Sequence, residues 1–342
     1  MAAWALTCLL LLTGRAFASA NAMSTIGSLH APCLCTFGAV PVPVNVQIPS
    51  DPSEGLNTTN LRRLKKTFNI FGEFCQPSGQ QLVINGQTTF SYDELGVGLS
   101  ERPLNSTDIQ IPVAASVASS LAAQLKDGTL TSSLGLEKQL FKKVVGIAHS
   151  QGSVVFNFIA ITQGASTTLD AMILTGHIHD QGFLATFDDP KPLASQVDPA
   201  RWGNLDSGFI TTPNRSSFYS PDTSTFSPDV FMLDGLTKDV STIWYTRELP
   251  SVYVPAKGFT GPVVELVGSM DQLHCLNAVD KNLPCNSTVL QQMEAPFWPD
   301  SRNFTALVRE GSGHDVNLDF GAAETFALYS SLVEVMTRQI SE

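Results

Sequence analysis

The chain is poor in charge. Only 15% of its 342 residues are Asp, Glu, Lys or Arg, and 20 basic side chains face 31 acidic ones. The resulting net charge of −11 leaves no basic footprint for phosphates, which argues against a nucleic-acid partner. Past the first 20 residues no run of about 18 apolar residues occurs, so no membrane span is expected. Zinc-type cysteine spacing is missing. His177-x-His179 by itself reads as a loop or partly buried pair, and no metal is assigned. Gly96 and Gly98 are followed by Leu99, Ser100 and Glu101, so the third glycine of a dinucleotide fingerprint is lacking and no cofactor is assigned.

What is present suits one large domain with an inserted lobe, at 43% hydrophobic residues. Residues 1–20 carry an apolar core at 5–12, followed by Ala18-Ser19-Ala20. This predicts a secretory signal peptide cut near Asn21, although no basic residue precedes the apolar core. Sequons at Asn57, Asn105, Asn214, Asn286 and Asn303 favour the same secretory route and a glycoprotein. With Cys8 removed, five cysteines remain. Cys275 and Cys285 can close a local loop, Cys75 can pair with Cys33 or Cys35, and one thiol is left over.

The pattern along the chain predicts an α/β fold, a mostly parallel central sheet with helices on both faces and an inserted, mainly helical cap. An extended N-terminal arm is expected over 21–65 and the first part of the core over 66–176. The cap follows over 177–261 and the rest of the core over 262–342. Buried strands are predicted at 144–147, 169–174, 263–267 and 305–309. An alanine-rich helix should run over 113–125 and an amphipathic one should close the chain over 322–336.

The stretch at 143–158 carries the chemistry. Val144, Val145, Gly146 and Ile147 form a short apolar run, then come Ala148-His149-Ser150-Gln151-Gly152, then Val154, Val155 and Phe158 at helical spacing. A strand, a tight turn with serine at its apex and a helix form the context of a nucleophile elbow. Small residues are needed two positions either side of the serine, and Ala148 and Gly152 stand there. The N–H of Gln151 would point at a developing oxyanion. Asp271 and His314 follow, each just after a predicted strand, in the order that an acid and a base take in such folds. His274 is the nearest rival base, and His149 should point away from the serine.

Ala148-His149-Ser150-Gln151-Gly152, Gly268-Ser269-Met270-Asp271 and Gly313-His314 resemble the catalytic motifs of the alpha/beta-hydrolase fold family, from about Phe68 onward. Asp93-x-x-Gly96-x-Gly98-x-Ser100 is similar to a family segment after an early strand. Asn204-Leu205-Asp206 and residues 209–212 resemble secreted fungal members. The resemblance implies Ser150 as nucleophile, Asp271 as acid and His314 as base.

One departure stands out. The family has an oxyanion loop and a helix between its third and fourth strands. Here Leu82, Val83 and Ile84 are followed by Asn85-Gly86-Gln87 and at once by the apolar piece at 88–92. Three residues cannot make a parallel crossover, which needs about a dozen. Asn85 is either a remnant of the oxyanion loop or, as favoured, a turn residue. The chain is therefore expected to be shortened, by altered splicing or an imperfect gene prediction, with reduced or absent activity.

Two functional readings follow. One is a secreted serine hydrolase acting on a small apolar ester-like substrate. The other is an impaired relative that binds a hydrophobic small molecule in the same crevice. Aromatic residues of the cap (Phe183, Phe187, Trp202, Phe209, Phe218, Tyr219, Phe226 and Trp244) either line an acyl pocket or, for most of them, pack the cap's own core.

Overall fold

The computed structural model describes residues 7–13, 33–77, 87–179, 192–275 and 285–341. Its strands are β1 (Thr7–Thr13), β2 (Cys33–Pro49), β3 (Leu61–Pro77) and β4 (Thr88–Asp93), before helices α1 (Ile111–Asp127) and α2 (Thr129–Ser133). Then come β5 (Lys143–His149), α3 (Gln151–Gln163) and β6 (Ala171–Thr175). The cap holds α4 (Ala194–Val197), α5 (Pro199–Trp202), β7 (Phe209–Ile210), α6 (Pro228–Thr237), β8 (Ser241–Thr242) and α7 (Ile243–Glu248). The chain ends with β9 (Val263–Gly268), α8 (Ser287–Glu294), β10 (Phe304–Arg309) and α9 (Ala322–Ser341).

Eight strands form one sheet in the order β10-β9-β6-β5-β1-β4-β3-β2. The half from β10 to β5 is parallel throughout. Its strands are apolar on both faces because both faces are covered. In β5, Val144 and Ala148 join the core beneath α1 and α3, whereas Val145 and Ile147 alternate to the opposite face. There they meet Tyr329, Val333 and Met336 of α9. The expected fold class is the observed one.

Within the expected extended arm over 21–65, Cys33–Pro49 is strand, residues 50–60 make the connecting turn and Leu61 begins the next strand. β2 and β3 pair antiparallel along their whole length, from Cys33↔Pro77 to Pro49↔Leu61. Val40, Val42 and Val44 are buried while Pro41 and Pro43 between them are exposed. β2 is the last strand of the sheet, and an edge strand tolerates proline because one side of its ladder needs no donor. The Cys35↔Cys75 register places a disulfide between the two strands, and a second joins Cys275 to Cys285. Of the two partners open to Cys75, the structure selects Cys35.

β1 lies between β4 and β5, antiparallel to both. Leu10 is opposite Phe90 on one side and Gly146 on the other. This strand falls inside the segment expected to leave as a signal peptide. Residues 78–86, including Asn85, lie outside the described residues.

The sheet's middle thus depends on residues 7–13. A chain starting at Asn21 should unfold in urea with at least about 3 kcal/mol less stability than the full chain, or self-associate through the opened edges of β4 and β5. Equal midpoints for the two monomeric chains would contradict the pairing of β1 with its neighbours.

Candidate active site

The parallel strands deliver the candidate residues. β5 ends at His149 and α3 starts at Gln151, so Ser150 alone makes the reversal. Its φ of 51° is the single positive value of a non-glycine residue among the described residues. Such strain persists only where neighbours over-determine it. Thr175 at the end of β6 does so. Its carbonyl accepts from the Ser150 N–H (2.7 Å) and from Ser153 Oγ (2.9 Å), and its hydroxyl donates to the Ala148 carbonyl (3.0 Å).

Asp271 follows β9 and His314 follows β10. The loops meet so closely that a Cβ on Gly268 would lie 2.1 Å from the Gly313 carbonyl oxygen. His314 Nδ1–H donates to Asp271 Oδ2 at 2.9 Å, and Ser150 Oγ–H donates to His314 Nε2 at 2.8 Å. This tautomer is the one that lets every partner be satisfied. Asp271 Oδ1 accepts the backbone N–H groups of Leu273 (2.8 Å) and His274 (3.1 Å). Asp271 and His314 are both buried.

Burial works against the Asp271 carboxylate, but the charges of His314 and His274 and the donated hydrogen bonds hold its pKa well below the ordinary value. Burial likewise works against a protonated His314. The Asp271 carboxylate beside it outweighs that and raises its pKa. His314 can therefore take and hold a proton. His274, the rival base, directs its Nε2 to the Gly176 carbonyl (3.1 Å) rather than to the serine.

The Gln151 side chain is fixed between Glu94 Oε2, to which its Nε2 donates (3.3 Å), and Ser241 Oγ, which donates to its Oε1 (2.6 Å). Its backbone N–H, at the start of a 13-residue helix, has no acceptor among the described residues. That is the state expected of an oxyanion donor. Asn85, the other candidate donor, lies outside the described residues. A cavity of about 10 Å³, room for about one water molecule, adjoins Gln151, lined mainly by Leu95, Val97, Ile109, Phe209, Val240 and Tyr245.

Of the cap aromatics, Phe209 lines this cavity and Phe218 lies edge-on to His314 (5.5 Å between ring centres). Trp202 is buried in the main core, Tyr219 and Phe226 pack with Phe231, and Trp244 donates to Ser106 Oγ. Phe183 and Phe187 lie outside the described residues.

His149 turns from the serine, as expected, but not into bland packing. Its Nδ1 meets Thr175 Oγ1 (2.9 Å) and its Nε2 meets Asp315 Oδ1 (3.0 Å). Gly176 lies against both histidines with φ of 58°, and a Cβ there would come within 2.7 Å of His149 Cε1 and 2.9 Å of His314 Cε1. Arg215 from the cap reaches the same carboxylate, a contact between distant segments that no local sequence signal announces.

His177 and His179 are fully buried, deeper than a loop pair. His179 Nδ1 donates to Glu294 Oε2 at 2.5 Å, while Asn157 Nδ2 approaches His179 Nε2 at 2.8 Å. Glu265, wholly buried on β9, shares this site with Glu294 and accepts from Trp298 Nε1 (2.8 Å). Two ligands of one tetrahedral zinc would stand about 3.3 Å apart. The 2.5 Å separation is that of a hydrogen bond. Burial, then the adjacent Glu294 carboxylate, raise the Glu265 pKa well above normal, which favours its neutral form.

No family model matches the sequence, and no curated protein matches it. Solved structures do. That of VrEH2 is 11% identical and aligns over 84% of this chain and 97% of its own, with a TM-score of 0.51. The likeness shows a shared α/β fold. Also similar are MGS-M2, an alpha/beta hydrolase enzyme from a Medee basin deep-sea metagenome library (13% identity, 77% and 93% coverage, TM-score 0.46), and the Paleococcus ferrophilus monoacylglycerol lipase (17%, 74% and 82%, TM-score 0.45).

The neutral form favoured at Glu265 makes an asymmetric prediction. Glu265→Gln keeps one donor and one acceptor in place and should leave the melting temperature at pH 7 within about 3 °C of the parent. Glu294→Gln removes the carboxylate that the backbone N–H and Nδ1 of His179 both address, and should cost about 3 kcal/mol in urea unfolding. Equal losses from the two variants would contradict the assignment of the proton.

Proposed function

We propose that this chain is a secreted serine hydrolase of ester or related acyl bonds, acting through Ser150, His314 and Asp271. The observation that carries the reading is the unbroken hydrogen-bond chain from Ser150 Oγ through His314 to Asp271, at 2.8 and 2.9 Å.

In this reading Ser150 Oγ attacks the substrate carbonyl carbon while His314 Nε2 takes the hydroxyl proton. The carbonyl oxygen becomes an oxyanion and is met by the Gln151 N–H and the positive end of α3. His314 returns the proton to the leaving oxygen as the C–O bond breaks, leaving Ser150 acylated. Water then attacks the acyl carbon, giving its proton to His314, and the acid leaves with the serine restored. Asp271 holds the imidazole tautomer throughout. A hydroxyl at the turn disfavours attack on an epoxide carbon, which a carboxylate performs.

The lining beside Gln151 is mainly apolar, which supports an apolar acyl group there once the cavity widens to admit it. Two disulfides and five sequons support the secretory route, which keeps β1 in the sheet only if the leader stays uncleaved. Among the described residues no helix is long and apolar enough to cross a membrane.

One observation favours the second reading, an impaired relative that binds more than it turns over. The position between β4 and β5 is taken by β1. Of the two expected oxyanion donors, the described residues hold Gln151, and Asn85 lies outside them. A missing second donor costs roughly 10²–10³ in turnover.

Intact-mass analysis after treatment with a fluorophosphonate tests the reading. The parent should gain a single adduct and Ser150→Ala none, while ester turnover falls short of common enzyme values by about 10²-fold or more. A folded parent that takes no adduct would refute the serine hydrolase assignment.

A further inference from the structure

The cap reaches the candidate base through one side chain. Arg215 Nε donates to Asp234 Oδ2 on α6 (2.8 Å), and its Nη2 donates to Asp315 Oδ2 in the loop that carries His314 (2.8 Å). Its guanidinium lies 3.9 Å from the centre of the Phe218 ring, which itself packs edge-on to His314. The other oxygen of Asp315 meets His149 Nε2 (3.0 Å), and the His149 ring stands 4.9 Å from that of His314.

We propose that Arg215 is a positioning residue that couples the cap to His314. It occupies the buried Asp315 carboxylate, which would otherwise rival Asp271 as the anion governing the imidazole. The inference rests on reading His314 as the base, and it goes beyond that reading by making the base's proton affinity depend on how the cap is docked.

The physical argument is one of charge. Asp315 is buried and adjacent in sequence to His314, so its field on the ring is weakly screened. Burial would raise the pKa of Asp315, but the His149 hydrogen bond and the Arg215 charge keep it low and ionised. For His314, Asp271 and Asp315 raise proton affinity and Arg215 opposes them. The remaining groups facing the ring are His274 from the loop after β9, His149 at the end of β5 and His177 beyond β6. Burial favours the neutral form of His149 and of His177. Arg215 is thus the fixed positive charge in this set. A base with too high an affinity stays protonated at working pH and cannot take the serine proton. An Arg215 that leaves with the cap would switch His314 toward that state.

Titration of the His314 ring C–H signals by NMR, assigned with His314→Gln, reads the effect without requiring turnover. Arg215→Gln should raise the His314 midpoint by about half a pH unit to one unit. Arg215→Lys, which keeps the charge and loses the two-way fork, should shift it upward by less than half as much. Asp315→Asn should move it down. Opposite signs for the Arg215 and Asp315 variants separate a field effect from loosened packing, and the Lys and Asn variants decide the matter if Arg215→Gln does not fold. A His314 midpoint unmoved within about 0.2 units in the folded variants, or moved the same way by Arg215 and Asp315 substitutions, would overturn the proposal. A failed serine hydrolase reading shows instead as an unlabelled parent, independent of these midpoints.

Discussion

A carboxylate without access to water sets the terms for the rest of the site. Asp271 is fully buried, and an isolated ion there would cost several kcal/mol. Two backbone N–H groups on one oxygen and the His314 imidazole on the other meet that cost. The arrangement requires the ends of β9 and β10 to converge, and their parallel register delivers both loops to the same edge as the Ser150 turn. Thr175 then fixes the turn from β6. Each side chain of the chain Ser150–His314–Asp271 thus sits at a different strand exit. None reaches its partner unless the parallel half of the sheet is in register.

The other half of the sheet obeys a different constraint. A sheet cannot lack a strand in its middle without exposing two rows of unpaired backbone groups. The chain moves from β3 to β4 too quickly to provide a parallel strand, and Thr7–Thr13 takes the vacant position with reversed polarity. The same leucine-rich segment reads as a leader core and as an inner strand of the sheet, because both suit a short apolar run. A strand donated from the N-terminus restores the ladder. The described residues hold the proton relay of the proposed enzyme and, of its two expected oxyanion donors, the Gln151 N–H.

The legible parts of the sequence were the locally encoded ones. The run at 144–147 followed by small residues around Ser150 specified β5, the turn and α3 almost residue for residue, and the spacing of Asp271 and His314 from strand ends needed only strand order. β2 was legible only as an extended arm, because the segment is rich in proline, although the alternation of Val40, Val42 and Val44 was visible around Pro41 and Pro43. An edge position, invisible before the sheet is assembled, is what tolerates those prolines. The buried fate of His177 and His179 depended on Glu294, more than a hundred residues away. The Arg215–Asp315 contact likewise spans the cap and the core, and nothing near either residue signals it. His149 looked like packing because its partner, Asp315, has meaning only once the histidine loop is folded back over β5.

The central claim is that Ser150 Oγ and the Gln151 N–H act on the same carbonyl group. A crystal structure of the phosphonylated protein tests it most directly. The account predicts phosphorus bonded to Ser150 Oγ, the phosphoryl oxygen accepting from the Gln151 N–H at about 3 Å, and His314 still held by Asp271. A phosphoryl oxygen turned to solvent, or a phosphorus on another side chain, would contradict it.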